Sequence, residues 1–135
     1  MRRYQDWPER LNRYLSRPHR FDWMTNNCAL FAARAAEEIT GEKICEPFLG
    51  PKTVRGMISK LHRITGGSVE AAAEMIAGKE YDNVRMAKRG DVATVDTPDG
   101  PALGVVVGSK VVYLNEREGL TEIPLSKCRR AWRVG

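Results

Sequence analysis

The sequence changes from helix-forming to strand-forming composition near residue 80, and this change constrains the fold more than any other feature. Residues 28–40 contain five alanines together with Leu30, Phe31 and Ile39, and Gly41 follows directly. This pattern predicts a helix that ends at the glycine. Because small side chains let a helix approach other backbone closely, we expect this helix to be central.

Three further helices are expected around it. Asp6 is an N-cap candidate with Pro8 in the first turn, and Ser68 is placed to cap a later helix. These helices are predicted over residues 6–16, 53–64 and 69–77. Five strands, separated by Pro-, Gly- and Ser-containing turns, are predicted over residues 92–95, 102–107, 111–114, 121–124 and 131–134. The order predicts a single α+β domain over residues 1–135, with a helical part (about 1–80) packed on a small antiparallel sheet (about 84–135).

The length and the cysteine content indicate one domain that folds without a disulfide bond or a structural metal ion. The chain has 135 residues and three cysteines, with no CxxC pair and no histidine at zinc-ligand spacing beside them. The sequence therefore predicts free thiols, no metal and no cofactor. The basic N-terminus does not lead into an apolar run, and no stretch approaches ~20 apolar residues, so neither a signal peptide nor a membrane span is expected.

The net charge raises the possibility of nucleic-acid binding. There are 22 Lys and Arg residues against 17 Asp and Glu residues, a formal charge of +5. Basic and acidic residues alternate along most of the chain, and no helix-turn-helix or RNA-binding aromatic motif is present. We therefore expect protein partners instead, with the basic cluster of residues 127–133 as a reasonable contact surface, and keep nucleic-acid binding as a minor hypothesis.

Cys28 stands at the predicted start of the alanine-rich helix. Unpaired backbone N–H groups and the helix dipole favour a thiolate at such a position and can form an oxyanion hole. A nucleophilic cysteine there, assisted by a histidine from another element, is the general plan of papain-like acyl transfer. The alternative is that Cys28 is a small buried hydrophobic residue, which is common for a free cysteine.

Several motifs together carry a family resemblance. They are Phe21-x-Trp23 leading to Cys28, the turn Gly90-Asp91 entering a strand, and the pattern Gly-apolar-apolar-apolar-Gly over residues 104–108, where Gly104 suggests a close backbone approach. In this combination the chain resembles the NlpC-type cell-wall peptidases of the papain-like superfamily.

The whole chain is also similar to small phage and prophage proteins encoded in tail-gene clusters. The shared elements are Trp7-Pro8-Glu9-Arg10-Leu11, Asn26-Asn27-Cys28 and Ala131-Trp132-Arg133. The resemblance implies a tail-tip component with a papain-like fold, present in the host cytoplasm during assembly and then in the virion tail. Active relatives cut the peptide stems of peptidoglycan.

The catalytic residues implied by the resemblance are incomplete. Cys28 occupies the nucleophile position, but Ala102 stands where the active peptidases have their catalytic histidine. The third, histidine-orienting position falls on Leu114, with Asn115 one residue later. Without an imidazole, a cysteine thiol with a pKa of ~8.5 is mostly protonated at neutral pH.

Two hypotheses follow for the function. The preferred one is a structural or adaptor subunit of a phage tail tip with a degenerate peptidase site, binding other tail proteins. The alternative is an active peptidoglycan peptidase or amidase that uses Cys28 with His19 as a substitute base and help from Asn26 or Asn115. The other histidine, His62, falls on the third predicted helix and is interpreted as a boundary residue.

Overall fold

Four helices precede a five-stranded antiparallel sheet in a computed structural model that describes residues 2–135. The helices are α1 (Trp7–Ser16), α2 (Cys28–Thr40), α3 (Val54–Thr65) and α4 (Val69–Ile76). The strands are β1 (Val92–Thr97), β2 (Gly100–Val106), β3 (Lys110–Asn115), β4 (Gly119–Pro124) and β5 (Ala131–Trp132), in the sheet order β4-β3-β2-β1-β5. The predicted α+β class is confirmed.

Helix α2 has the predicted bounds, and side-chain chemistry explains both ends. The Asn27 side chain accepts a hydrogen bond from the Leu30 amide at 2.9 Å and so caps the first turn. Gly41 ends the helix in the left-handed region, with φ of 75° and its N–H bonded to the Glu37 carbonyl at 2.8 Å. The helix is buried along most of its length, as its alanine content predicts.

The sheet is a meander of hairpins, with β5 added beside β1. Gly104 lies at its centre, paired with Ala93 on one side and Tyr113 on the other. A Cβ atom at Gly104 would lie 2.5 Å from a methyl group of Val111 and 2.9 Å from the carbonyl oxygen of Val112. The predicted close approach at this glycine is confirmed.

The core has two parts, one on each face of the sheet. Alternate strand residues such as Leu103, Val105 and Val112 join the helices in the larger cluster. Their neighbours, including Ala102 and Tyr113, belong to a smaller cluster on the opposite face. The period-two alternation of a strand produces this division. The start of α2 reaches the smaller cluster as well, since Cys28 packs against it.

Asp91, 1% exposed, joins the two ends of the chain to the sheet. Its carboxylate accepts hydrogen bonds from Arg3 Nη2 (2.9 Å), the Tyr81 hydroxyl (2.7 Å), and the backbone amides of Lys88 (2.8 Å) and Val134 (3.0 Å). A buried carboxylate requires such complete pairing, because an unpaired charge in the interior is strongly unfavourable.

Several element ends differ from the sequence-based expectation by one or two residues; β1, for example, continues to Thr97 and β2 begins at Gly100. Side-chain contacts explain two further differences. Strand β5 ends at Trp132 and not at residue 134, because the Val134 amide bonds to the Asp91 side chain and leaves the strand ladder. Asp6 occupies the N-cap position of α1, but its side chain does not cap the helix. It pairs with Arg10 one turn later, at 2.8 Å.

No helix within residues 2–135 has the length and apolarity needed to cross a bilayer.

Candidate functional site

A cleft of about 510 Å³ lies where the start of α2 meets β2, β3 and the helices α3 and α4. The connector before α2 contributes Phe21 and Trp23, and α2 itself contributes Asn27, Cys28 and Ala29. The structure therefore places Cys28 in a cleft, although the alternative of a packed hydrophobic residue is partly correct as well, since this side chain is half-buried and contacts the smaller core cluster.

Helix α3 supplies one apolar wall of this cleft. Ile58, Leu61, His62 and Thr65 line the cleft at the spacing of a single helical face. The same helix buries only Met57 fully, and Ile58 is 48% exposed. The wall is thus an apolar stripe with one imidazole, open to solvent and available to a bound molecule.

Two opposing effects act on the Cys28 thiol at the helix start. Burial raises its pKa, and the opposing effect of the backbone amides of Leu103, Ala29 and Cys28 itself is smaller. In this structure desolvation exceeds the stabilisation by the amides, which opposes the expected preference for thiolate at the helix start. The direction of this shift favours the protonated thiol.

Cys28, Ala102 and Asn115 line the same cleft. Ala102 lies in the β1–β2 ladder opposite Val95, and its methyl group provides no acid–base chemistry. The Asn115 side chain is already engaged, since its Oδ1 accepts hydrogen bonds from the backbone amides of Arg117 (2.8 Å) and Glu118 (3.2 Å). Asn115 shapes the turn after β3 and does not present a free amide oxygen to a histidine.

His19 lies outside the cleft, contrary to its expected role as substitute base. Its Nε2 is 2.6 Å from the carbonyl oxygen of Tyr14, and its ring packs against Tyr14 and Phe31 with centroid distances of 4.8 and 5.0 Å. These contacts hold the imidazole between α1 and α2. His19 therefore has a packing role in this structure.

Asn26 also has a structural role outside the cleft. Its Nδ2 donates to the Arg20 carbonyl at 2.9 Å, and its Oδ1 accepts from Arg34 at 3.2 Å. Its backbone pairs with Asp22 in a short bridge that shapes the connector. The neighbouring Asn27, which caps α2 and lines the cleft, is the asparagine that positions Cys28.

His62 is the cleft residue that the sequence interpretation missed. It was interpreted as a boundary residue, whereas it shares the cleft with Cys28. A signal was available in its spacing, because Ile58, Leu61 and His62 recur at the intervals of one helix face. The periodicity could not show that this face borders a cleft instead of the core.

Aromatic and charged side chains line the part of the cleft nearest the connector and the turn after β3. Trp23 Nε1 donates to Glu116 Oε1 at 3.2 Å, and Phe21 packs edge-on against Trp23 at 5.3 Å. Asp99 and Arg117 form an ion pair at 3.3 Å. The cleft thus combines an apolar interior with hydrogen-bonding groups that can orient a bound molecule.

The other two cysteines are remote from this chemistry. Cys45 and Cys128 are buried free thiols, and burial raises their pKa values to about 12 and about 11. Among residues 2–135, no group of three or more His, Cys, Asp or Glu side chains is arranged to hold a metal ion.

The fold and the cleft define an α+β domain with a half-buried cysteine at the start of its central helix. The chain belongs to the family described as a domain of unknown function, DUF6950, whose model matches residues 2–134. No curated protein matches the chain.

Proposed function

We propose that this protein is a structural or adaptor component of a phage tail tip, built on a papain-like fold whose cleft binds a polypeptide without cutting it. The proposal rests on one observation: Cys28, Ala102 and Asn115 line the same cleft. The resemblance to NlpC-type peptidases assigns the nucleophile to Cys28 and the base to position 102, where a methyl group replaces the imidazole. Asn115 follows Leu114, the residue at the third assigned position, which lines the same cleft.

The chemistry of the cleft supports binding over hydrolysis. Acyl transfer by a cysteine needs a thiolate or a base that removes the thiol proton. Burial raises the pKa of Cys28, and the alanine at position 102 cannot accept a proton. What remains is a largely apolar cleft with Trp23 and Glu116 at one side, which suits an extended segment of a partner protein.

Co-expression with the products of neighbouring tail-cluster genes tests the adaptor function. We expect one of these products to co-purify with the chain as a stable complex that Ile58→Glu weakens, because a charge enters the apolar wall of the cleft. Val54→Glu is the matched control, since Val54 is 43% exposed on the same helix but lies outside the cleft. A chain that stays monomeric with every neighbouring product, or a complex equally sensitive to both changes, contradicts the proposal.

A second candidate function is an active peptidoglycan peptidase that uses Cys28 with His62 as base. The presence of His62 in the same cleft favours this candidate over the version that relied on His19. Turnover of purified muropeptides, abolished by both Cys28→Ala and His62→Ala but retained in His19→Ala, would establish it. If the unaltered protein shows no turnover, the peptidase function is excluded and only the binding function remains.

A further inference from the structure

A second and larger cavity, of about 800 Å³, lies on a different part of the molecule, where both chain ends meet the segment before β1. Five cationic side chains line it: Arg2, Arg3, Lys88, Arg89 and Arg133. Two of these five are at the N-terminal end and one is near the C-terminal end, so the cavity exists only in the folded chain.

The positive charge in this cavity is largely uncompensated. Its one acidic side chain, Asp91, is buried and already paired with Arg3. Within residues 2–135, the other four cationic side chains have no side-chain carboxylate within 4.0 Å. The fold holds one of these charges in place, since Arg89 donates to Asn12, 77 positions away in the sequence. Arg133 makes a local contact, in which it donates to the Gly135 oxygen.

The basic cluster at residues 127–133 differs from this cavity. Arg129 pairs with Asp96 at 2.9 Å. Arg130 forms a bidentate ion pair with Glu80, in which Nε and Nη2 each donate to one carboxylate oxygen at 2.7 Å. These arginines are therefore occupied by neighbouring carboxylates. Of the cluster that was expected to be a reasonable contact surface, only Arg133 lines the cavity.

The cavity also has an apolar component. Met86 is 56% exposed there, and the indole of Trp7 forms part of the lining. The Arg3 guanidinium lies 4.3 Å from the Trp7 ring centroid, so the ring face is occupied by a cation. The indole also packs against the larger core cluster, so little of the ring is left as a platform for stacking a nucleic-acid base. A flexible exposed methionine, by contrast, accommodates aliphatic side chains.

We propose that this cavity binds an acidic segment of a partner protein, with Asp or Glu carboxylates at Arg2, Lys88, Arg89 and Arg133 and an aliphatic side chain on Met86. Arginine and lysine side chains recognise carboxylates through charge-assisted hydrogen bonds. Charge complementarity of this kind speeds association and excludes basic or neutral segments. This is a second contact surface, separate from the cleft that contains Cys28.

Fluorescence anisotropy with a labelled peptide of Glu and Asp residues around a central Leu tests the proposal. We expect binding that weakens at high salt and that is lost when Gln and Asn replace the acidic residues. The double variant Arg2→Glu with Lys88→Glu should weaken binding by at least ~10-fold, as expected for reversal of charges across an interface. The matched control, Lys43→Glu with Lys52→Glu, makes the same change at exposed lysines outside the cavity.

Four outcomes would overturn the proposal. They are equal binding of the neutral peptide, equal effects of the two double variants, no measurable binding of the acidic peptide by the folded protein, and displacement of that peptide by a labelled oligonucleotide of higher affinity. Thermal unfolding of each variant verifies the fold. Because the Ile58→Glu test probes the cleft and not this cavity, failure of one proposal leaves the other intact.

Discussion

Arg3, which is partly buried, and Asp91, which is fully buried, form an ion pair with Arg3 Nη2 2.9 Å from Asp91 Oδ1 across 88 positions of sequence. The same guanidinium donates to the carbonyl oxygens of Val134 and Arg89, both at 2.7 Å. Burial lowers the pKa of Arg3, and the neighbouring carboxylate of Asp91 opposes that effect. The pair therefore depends on mutual compensation, which makes it sensitive to loss of either partner.

Asp91→Asn is expected to destabilise the protein by about 3–5 kcal/mol, because it disrupts the four hydrogen bonds to a buried carboxylate and leaves the partly buried Arg3 charge without its counter-ion. The free energy of unfolding from urea denaturation measures this effect. Asp96→Asn, which breaks the exposed pair with Arg129, is the control and should cost about 0–1 kcal/mol. If the two variants lose similar amounts of unfolding free energy, the pair of Arg3 and Asp91 contributes no more to stability than an exposed pair does.

The second prediction concerns the pH dependence of Cys28 alkylation by iodoacetamide. Because burial raises its pKa, the labelling rate should still be rising above pH ~8.5, where an ordinary thiol is already half ionised. Mass spectrometry of the peptide that contains Cys28 separates its labelling from that of Cys45 and Cys128. A rate that reaches its plateau below neutral pH would instead indicate an activated thiolate and support the peptidase.

Ala102→His should increase the reactivity of Cys28 at neutral pH. The substitution places an imidazole in the cleft that holds the thiol, and a base there favours thiolate. The readout is the iodoacetamide labelling rate of Cys28, with Glu122→His on β4 as a control that adds an imidazole outside this cleft. If the two variants label at the same rate, position 102 does not correspond to the catalytic histidine of the peptidases.

Gly104→Ala should destabilise the protein by about 1–3 kcal/mol, the usual cost of overpacking a core. The new methyl group would meet a backbone oxygen at Val112 as well as the Val111 side chain, so a rotamer change alone cannot relieve the clash. Urea denaturation gives the change in stability. Ser109→Ala, at an exposed turn, should change stability by less than about 0.5 kcal/mol.

The Tyr81 hydroxyl provides a prediction at alkaline pH. Desolvation and the bond to Asp91 raise its pKa to about 12, against ~10 for an unfolded tyrosine. The neutral phenol is therefore favoured by folding, and its contribution to stability is present below pH ~10 and is lost as the pH rises through about 12. Phenolate absorbance, compared between the unaltered protein and Tyr81→Phe, isolates this group; ionisation near pH ~10 would contradict the prediction.

The elements of the fold followed from local patterns in the sequence. Helix α2 was predicted with its observed bounds, and Gly41 carries the signal for its C-terminal end within a few neighbouring residues. The cap that Asn27 provides at the other end is equally local, but it was recognised only in the structure. The shortening of β5 could not be predicted in this way. It depends on the bond from Val134 to Asp91, a contact between residues 43 positions apart that no local pattern encodes.

The site was less predictable than the fold. Cys28 was identified because a cysteine at the start of a helix is recognisable from the sequence alone. His19 and His62 were assigned the wrong relative positions, since proximity along the chain favoured His19 whereas the packing of α3 brings His62 to the cleft. Such arrangements depend on how helices pack, which sequence spacing within one helix does not determine.

The contact of Arg3 with Val134 has a consequence for how the chain opens. Amide protons in terminal segments usually exchange with solvent quickly, because ends fray independently. Here the Tyr4 amide bonds to the Ile39 carbonyl and the Val134 amide bonds to Asp91, which in turn binds Arg3. We expect the amides of Tyr4 and Val134 to exchange at similar, slow rates, since neither end can detach without releasing the other.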